Sequence, residues 1–354
     1  MGEQKPKGLT GIENLRSSKN SKFLFPLLSL DEMKEKSIFM HGNYPHYYGY
    51  RRKKSDLPFL LSTDDDDTEG LDSRLAAIKK NASVCFTGKS VLDIGCNDGT
   101  IPLEIAEHFQ QVHSVLGIDI DESLIKKAKA QRQWKFSRIH PSAYSWKNLI
   151  DAGSDEQDND EKDNDEKDDH NVDIDNDNHI ENSVNFKSYF PASFGSSYGH
   201  VPMITNHPYF GTLCKELYGK LPFPFNVDFN CMNILEQTPQ QSFDIITCFS
   251  VTKWIHLNGG DEAIERLFDT VHRLLAPGGF FILEPQPWKS YYSKSRFDPR
   301  LAENYQKRCH IKPDEFVSLL LTKRGFSLIS EIVPDSNTKG LKGFQRSIFI
   351  LSKQ

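Results

Sequence analysis

The chain has 354 residues, a formal net charge of −6 and a negative mean hydropathy, which allows a sizeable core diluted by polar segments. No apolar run approaches the ~18 residues needed to span a bilayer, and the first residues carry no apolar leader stretch. Six cysteines are scattered without a C-x-x-C pair, which argues against a zinc ribbon or other metal centre and suits a reducing compartment, the cytoplasm or nucleus.

The charge is unevenly spread. Between Asp151 and Glu181 lie 15 acidic residues and 2 lysines, a net of −13. Taking that from −6 leaves +7 for the remainder. The body is therefore basic and permits a polyanionic partner.

In chain order, residues 1–40 show no sustained period and read as a mobile N-terminal arm. Residues 41–354 read as the main domain. Gly42 to Arg52 gathers Tyr44, Tyr47, Tyr48 and Tyr50 beside Arg51 and Arg52. It is too polar for a core helix, and reads as a lid over a site or as surface packing. Asp64 to Asp67 is a solvated acidic loop. Val91 to Ile94 is a short strand, Ile101 to Phe109 a helix, Val115 to Ile118 the second strand and Glu122 to Gln131 the next helix. An insertion follows at 150–220. Its first part, 150–180, is Asp- and Asn-rich and too polar to offset its ordering entropy. Val227 to Asn230 and Phe243 to Phe249 are the third and fourth strands. Asp261 to Leu275 is an amphipathic helix stopped at Pro277-Gly278-Gly279. Phe280 to Leu283 is the fifth strand, Pro313 to Leu321 a helix, and Phe326 to Val333 and Arg346 to Leu351 close the chain as strands. This alternation predicts an α/β fold with a mostly parallel, doubly wound sheet and helices on both faces. Such sheets bind ligands at the carboxyl ends of their strands.

The segment Val91-Leu92-Asp93-Ile94-Gly95-Cys96-Asn97-Asp98-Gly99 leaves a strand and opens a helix. Asp119 ends the second strand about twenty residues on, where a ribose diol is gripped. Dinucleotide enzymes place a glycine where this chain has Asn97, because a pyrophosphate must approach bare backbone. S-adenosylmethionine has no pyrophosphate, so the loop favours a methyltransferase. Thr252-Lys253-Trp254-Ile255-His256-Leu257-Asn258 follows the fourth strand and sets Lys253 and His256 on a loop at the cleft mouth, where packing or solvation is the competing reading. Glu284-Pro285-Gln286-Pro287-Trp288-Lys289 follows the fifth strand. An aromatic beside a cation suits stacking on a base and contact with phosphate; a rigid loop with a buried Trp288 is the alternative.

Together these segments resemble the methylphosphate capping enzymes, the bicoid-interacting RNA methyltransferases. The matching stretches are Gly42 to Arg51, Val91 to Asn97, Gly117 to Asp121, Thr252 to Asp261, Pro277 to Tyr291 and Lys339 to Arg346. The resemblance implies a Rossmann-like class I methyltransferase that uses S-adenosylmethionine to methylate the γ-phosphate of an RNA 5′ end. The 7SK and U6 small nuclear RNAs are the family's substrates. It implies that Tyr48, Arg74, Gly95, Cys96, Asn97, Asp119, Ile120, Met232, Asn233 and Phe249 line the cofactor. Tyr47, Arg51, Lys253 and His256 would face the RNA phosphates, with Lys253, His256 and Tyr47 in catalytic roles. Phe344 and Arg346 match a substrate-facing motif. The same resemblance implies a nuclear location and other RNA-binding proteins of a ribonucleoprotein as partners. Methylation of RNA 5′-monophosphates, a small-molecule methyltransferase and a non-catalytic RNA-binding scaffold are the alternative readings.

Overall fold

A computed structural model of the protein describes residues 39–44, 47–48, 71–109, 111–138, 199, 221–333 and 346–354. Most of the N-terminal arm, the acidic part of the insertion, Arg51 and Phe344 lie outside the described residues, and so do the expectations placed on them.

The elements are α1 (Ser73–Asn81), β1 (Ser90–Ile94), α2 (Thr100–His108), β2 (Ser114–Asp119), α3 (Glu122–Phe136), β3 (Val227–Cys231), β4 (Phe243–Phe249), α4 (Thr252–Leu274), β5 (Leu275–Glu284), α5 (Lys289–Ser295), α6 (Pro299–Lys307), a 3₁₀ turn (Pro313–Glu315), α7 (Phe316–Lys323), β6 (Phe326–Ile332) and β7 (Ile348–Lys353). The sheet order is β3-β2-β1-β4-β5-β7-β6. Strands β1 to β5 pair in parallel, and β7 runs antiparallel to both β5 and β6. The chain switches direction between β1 and β4, which opens a crevice at their carboxyl ends.

Alternate strand residues face opposite ways, so each strand feeds two cores. Val91, Val115, Ile245 and Ile282 pack with Leu75 and Ile78 of α1, Ile101 and Ile105 of α2, and Ile125 of α3. Leu92, Ile246, Phe281 and Leu283 pack with Ile264, Leu267 and Phe268 of α4 and Phe316 and Leu320 of α7. Helices thus cover both faces, as expected of a largely parallel sheet.

The structure departs from the sequence reading in four places. Helix α4 begins at Thr252, directly after β4, so Lys253 and His256 stand on a helix and not on a loop. Gly260 (φ 72°) kinks it before the amphipathic stretch. The segment 275–279 is the start of β5, where Leu275 pairs with Phe243 before a shift of register; a bulge of this kind accommodates the Pro-Gly-Gly run. Helix α3 continues to Phe136. Helices α1, α5 and α6 were not expected. The first and last of these begin at carboxylate caps, Asp72 and Asp298, each accepting from a backbone N–H two residues on.

Gly99 shows how tightly the first turn of α2 is seated. Its φ is 86°, and a Cβ there would lie 2.7 Å from the Ala128 Cβ of α3 and 2.8 Å from the Phe229 ring of β3. Gly99→Ala should therefore destabilise the fold by about 2–4 kcal/mol, combining left-handed strain with overpacking. Urea unfolding checks this; a midpoint equal to the parent's would show that α2 is free to shift.

Candidate active site

A cavity of about 530 Å³ opens at the carboxyl ends of the central strands, within the ~300–1,000 Å³ of small-ligand and cofactor sites. One wall is the loop after β1. Gly95 has φ 76°, and the N–H groups of Gly95 and Cys96 both donate to the Ile118 carbonyl, at 2.8 and 2.9 Å. A Cβ on Gly95 would stand 2.2 Å from Val251 Cγ2, so only glycine fits between this loop and the start of α4. The carboxylate of Asp119 holds the same loop from β2. One oxygen accepts from the Asn97 N–H at 2.9 Å and the other from the Asp121 N–H at 3.0 Å. Burial raises the Asp119 pKa, and these backbone donors oppose the shift. Beside it Ile120 is 41% exposed and lines the cavity, leaving an apolar face for a flat ring.

The second wall is aromatic. Tyr47 and Tyr48 meet edge to face at 5.2 Å, and both line the cavity with Phe249. The buried Arg74 guanidinium lies behind them, 4.9 Å from the Phe249 ring centre and 5.9 Å from that of Tyr48. Residues 39–44 cross the mouth as a strap. Asn43 Nδ2 donates to Asp121 at 2.6 Å, and Asn258 Nδ2 donates to the Met40 carbonyl at 2.8 Å. Gly42 passes so close to Trp254 that a Cβ would lie 2.1 Å from its Nε1. The strap therefore ties the β2 side of the cavity to α4.

The third wall is basic. Lys253 is buried; its ammonium lies 3.3 Å from Ser290 Oγ and 5.0 Å from the Trp254 ring centre. Burial, with Arg346 and then Lys294 adding repulsion, pushes its pKa down to about 7. Arg346 and Lys294 line the same cavity. Gln286 Oε1 accepts from the Lys253 N–H at 3.0 Å and from Thr252 Oγ1 at 3.1 Å, pinning the first turn of α4 to the end of β5. Glu284, fully buried, lies underneath. It accepts from Ser250 Oγ at 2.6 Å and from Arg74 at 3.3 Å, and pairs with Arg346 at 3.6 Å.

Most of the expected residues meet here. Tyr47, Tyr48, Gly95, Asn97, Asp119, Ile120, Met232, Asn233, Phe249, Lys253 and Arg346 all line the cavity. Arg74 and Cys96 do not. Arg74 is spent on Asp72 and Glu284 behind the aromatic wall, and Cys96 is fully buried beneath the loop. The expectation for His256 is corrected. Its side chain has no exposure; Nε2 lies 2.7 Å from Asp261, and the ring packs among Trp288, Tyr291 and Phe316. Burial lowers its pKa despite Asp261, so it is a neutral core residue. Trp288 and Lys289 also stand outside the cavity lining. Trp288 stacks on Tyr305 at 5.1 Å and Lys289 is exposed. The sequence reading missed Asn43, Asn258, Gln286 and Lys294. The first three lie inside motifs that were singled out without a role for these residues, and Lys294 had no signal beyond its charge.

A domain profile of the bicoid-interacting protein 3 family matches residues 243–353, and a general methyltransferase profile matches residues 86–156. A probable RNA methyltransferase of Arabidopsis thaliana is 33% identical over 90% of this chain and 82% of its own length. The chain belongs to the bicoid-interacting RNA methyltransferase family. The human 7SK snRNA methylphosphate capping enzyme is 31% identical over 93% of this chain, which spans 41% of that longer protein. The Drosophila melanogaster U6 snRNA methylphosphate capping enzyme is 27% identical over 89% of this chain and 75% of its own.

The family's methyl donor is S-adenosylmethionine, and the residues present fit it. The buried Asn97 Oδ1 on the cavity wall has no hydrogen-bond partner among the described residues. Such an acceptor is costly unless a ligand donor satisfies it. Asp119 retains lone pairs for ribose hydroxyls, and Ile120 offers an apolar face to the base. Asp119→Ala should weaken S-adenosylmethionine binding by about 1.5–3 kcal/mol. Calorimetry measures this directly; unchanged affinity would remove Asp119 from the cofactor wall.

Proposed function

We propose that this methyltransferase acts on the terminal phosphate of an RNA 5′ end, and on the γ-phosphate of a 5′-triphosphate in particular. The observation that carries this reading is the convergence of Lys253, Lys294 and Arg346 on one end of the cavity, where burial first, and then Arg346 and Lys294, depress the pKa of Lys253 to about 7. The three cations give this end of the cavity a positive potential that favours a polyanion. A phosphate chain is such a polyanion. The names of the relatives, capping enzymes of 7SK and U6 small nuclear RNAs, support the same substrate class. They also support a nuclear site of action.

A terminal phosphate has a second pKa near 6, so its attacking oxygen is already ionised at neutral pH and needs no general base. When bound, S-adenosylmethionine supplies an electrophilic methyl on a sulfonium. The protein's part is alignment and exclusion of water. The strap over the mouth and the Tyr47–Tyr48 wall shield the site. Lys253 and Arg346 orient the phosphate oxygens, Lys253 as a point charge and Arg346 as a planar fork. Glu284 and Ser250 keep Arg346 in place. Phosphate binding restores the ammonium of Lys253, so docking of the RNA takes up protons above pH 7.

Lys253→Met keeps most of the stem and removes the charge. It should leave S-adenosylmethionine affinity intact and slow methyl transfer to triphosphorylated RNA by about 3 kcal/mol in the barrier, as loss of one preorganised donor does. The parent should methylate 5′-triphosphorylated RNA in preference to 5′-monophosphorylated RNA, and 5′-hydroxyl RNA not at all. Single-turnover transfer of labelled methyl measures both; parental rates in the variant would refute the role of Lys253. The same substitution reports on stability. A lysine with a folded pKa of about 7 binds fewer protons folded than unfolded up to its ordinary 10.5, so stability rises with pH across that window. The variant should flatten that rise.

A further inference from the structure

Helices α5 and α6 present a feature that the phosphate site does not use. The rings of Trp288 and Tyr305 stack at 5.1 Å with 27° between their planes, and Tyr292 lies 6.5 Å from Tyr305. All three are partly buried: Trp288 and Tyr305 pack by one side against the cluster of Trp254, Leu257 and Tyr291, and each of the three residues keeps a smaller part of its surface exposed. Around them, residues 288–296 contain Lys289, Lys294 and Arg296 and no carboxylate. Lys289 is exposed, and Arg300 on α6 is 73% exposed with Asp298 at 3.2 Å as its counter-ion. The surface is continuous with the cavity, because Lys294 lines the cavity wall from α5 and Ser290 meets the Lys253 ammonium.

We propose that this aromatic and basic surface binds the first unpaired nucleotides that follow the 5′ phosphate, a single-stranded leader of the RNA. This rests on the reading of the cavity as a 5′-phosphate site. With the phosphates held at Lys253, Lys294 and Arg346, the chain of nucleotides leaves along α5. Successive bases stack on the exposed edges and faces of these partly buried rings, and Lys289 and Arg300 follow the backbone charges. Stacking of this kind needs bases whose faces are free, which a paired 5′ end does not offer. The surface therefore selects RNA with an unpaired 5′ leader over a blunt duplex end. It is sequence-tolerant, because every base has a face to stack.

The test uses the full-length protein and a 5′-hydroxyl, single-stranded RNA of roughly ten nucleotides, long enough to cover the surface, read by fluorescence anisotropy. Tyr305→Leu keeps apolar contact with Trp288 and should weaken binding on the order of tenfold, the loss of a stacking partner. Lys289→Ser with Arg300→Ser, both at exposed positions that tolerate substitution, should make the slope of log affinity against log salt shallower by about 1.4. Neither variant should change S-adenosylmethionine affinity, and Tyr305→Leu should leave methyl transfer to a triphosphorylated dinucleotide unchanged. Unchanged affinity for the single strand, or an equal loss for a blunt duplex of the same length, would overturn the proposal. Failure of the parent to methylate the dinucleotide would instead strike at the 5′-phosphate reading, while the anisotropy still reports on the surface.

Discussion

The active site is organised around one buried carboxylate. Glu284, at the carboxyl end of β5, has no exposure and must be balanced by cations, because an isolated charge cannot be buried. Arg74 arrives from α1 and Arg346 from the segment before β7, and Ser250 adds a hydrogen bond from the turn between β4 and α4. Four separate parts of the chain are thereby fixed to one point under the cavity. Removing one member of such a set typically costs about 3–5 kcal/mol, because its partners are left buried and uncompensated. The aromatic wall rests on Arg74 and the phosphate end on Arg346, so both ends of the site depend on the same carboxylate.

Above that point the cavity has a basic end. Glu284 pairs with Arg74 and Arg346, and Lys253 and Lys294 line the cavity beside Arg346. Lys253 is held in a dry setting where its pKa falls to about 7. On the proposed reading this makes it responsive, because a phosphate beside it restores the full cation. An exposed lysine would bind phosphate less selectively, because water would screen it. The strap of residues 39–44 crosses the mouth, anchored to Asp121 after β2 and to α4 by side-chain amides, Asn43 and Asn258.

Much of this was legible in the amino-acid sequence. The apolar runs at 91–94, 115–118 and 243–249 are buried strands, and the Gly95 loop with Asp119 twenty-four residues on marked the cofactor wall. What was not legible has physical reasons. His256 and Lys253 sit three residues apart on one helix and are both buried, and a sequence cannot tell which of them reaches the cavity. The helix was itself concealed, because Lys253 and His256 are polar residues buried among Trp254 and Leu257, which breaks the apolar period, and Gly259-Gly260 imitates a loop. Trp288 was read as a base-stacking residue at the site, but its ring packs outside the cavity lining, between Tyr291 and Tyr305, the latter seventeen residues further on. The partnership of Glu284 with Arg74 spans 210 residues, and no local pattern reports it.

The central claim is that the reacting atom is an oxygen of the terminal 5′ phosphate, gripped by Lys253 and Arg346 at the end of the S-adenosylmethionine cavity. The direct measurement is the location of the transferred methyl group. A 5′-triphosphorylated RNA treated with the protein and carbon-13-labelled S-adenosylmethionine, then examined by phosphorus and carbon NMR, should show the label coupled to the γ-phosphorus and to no other site. Label on a base or a ribose hydroxyl, with the γ-phosphorus unchanged, would contradict it.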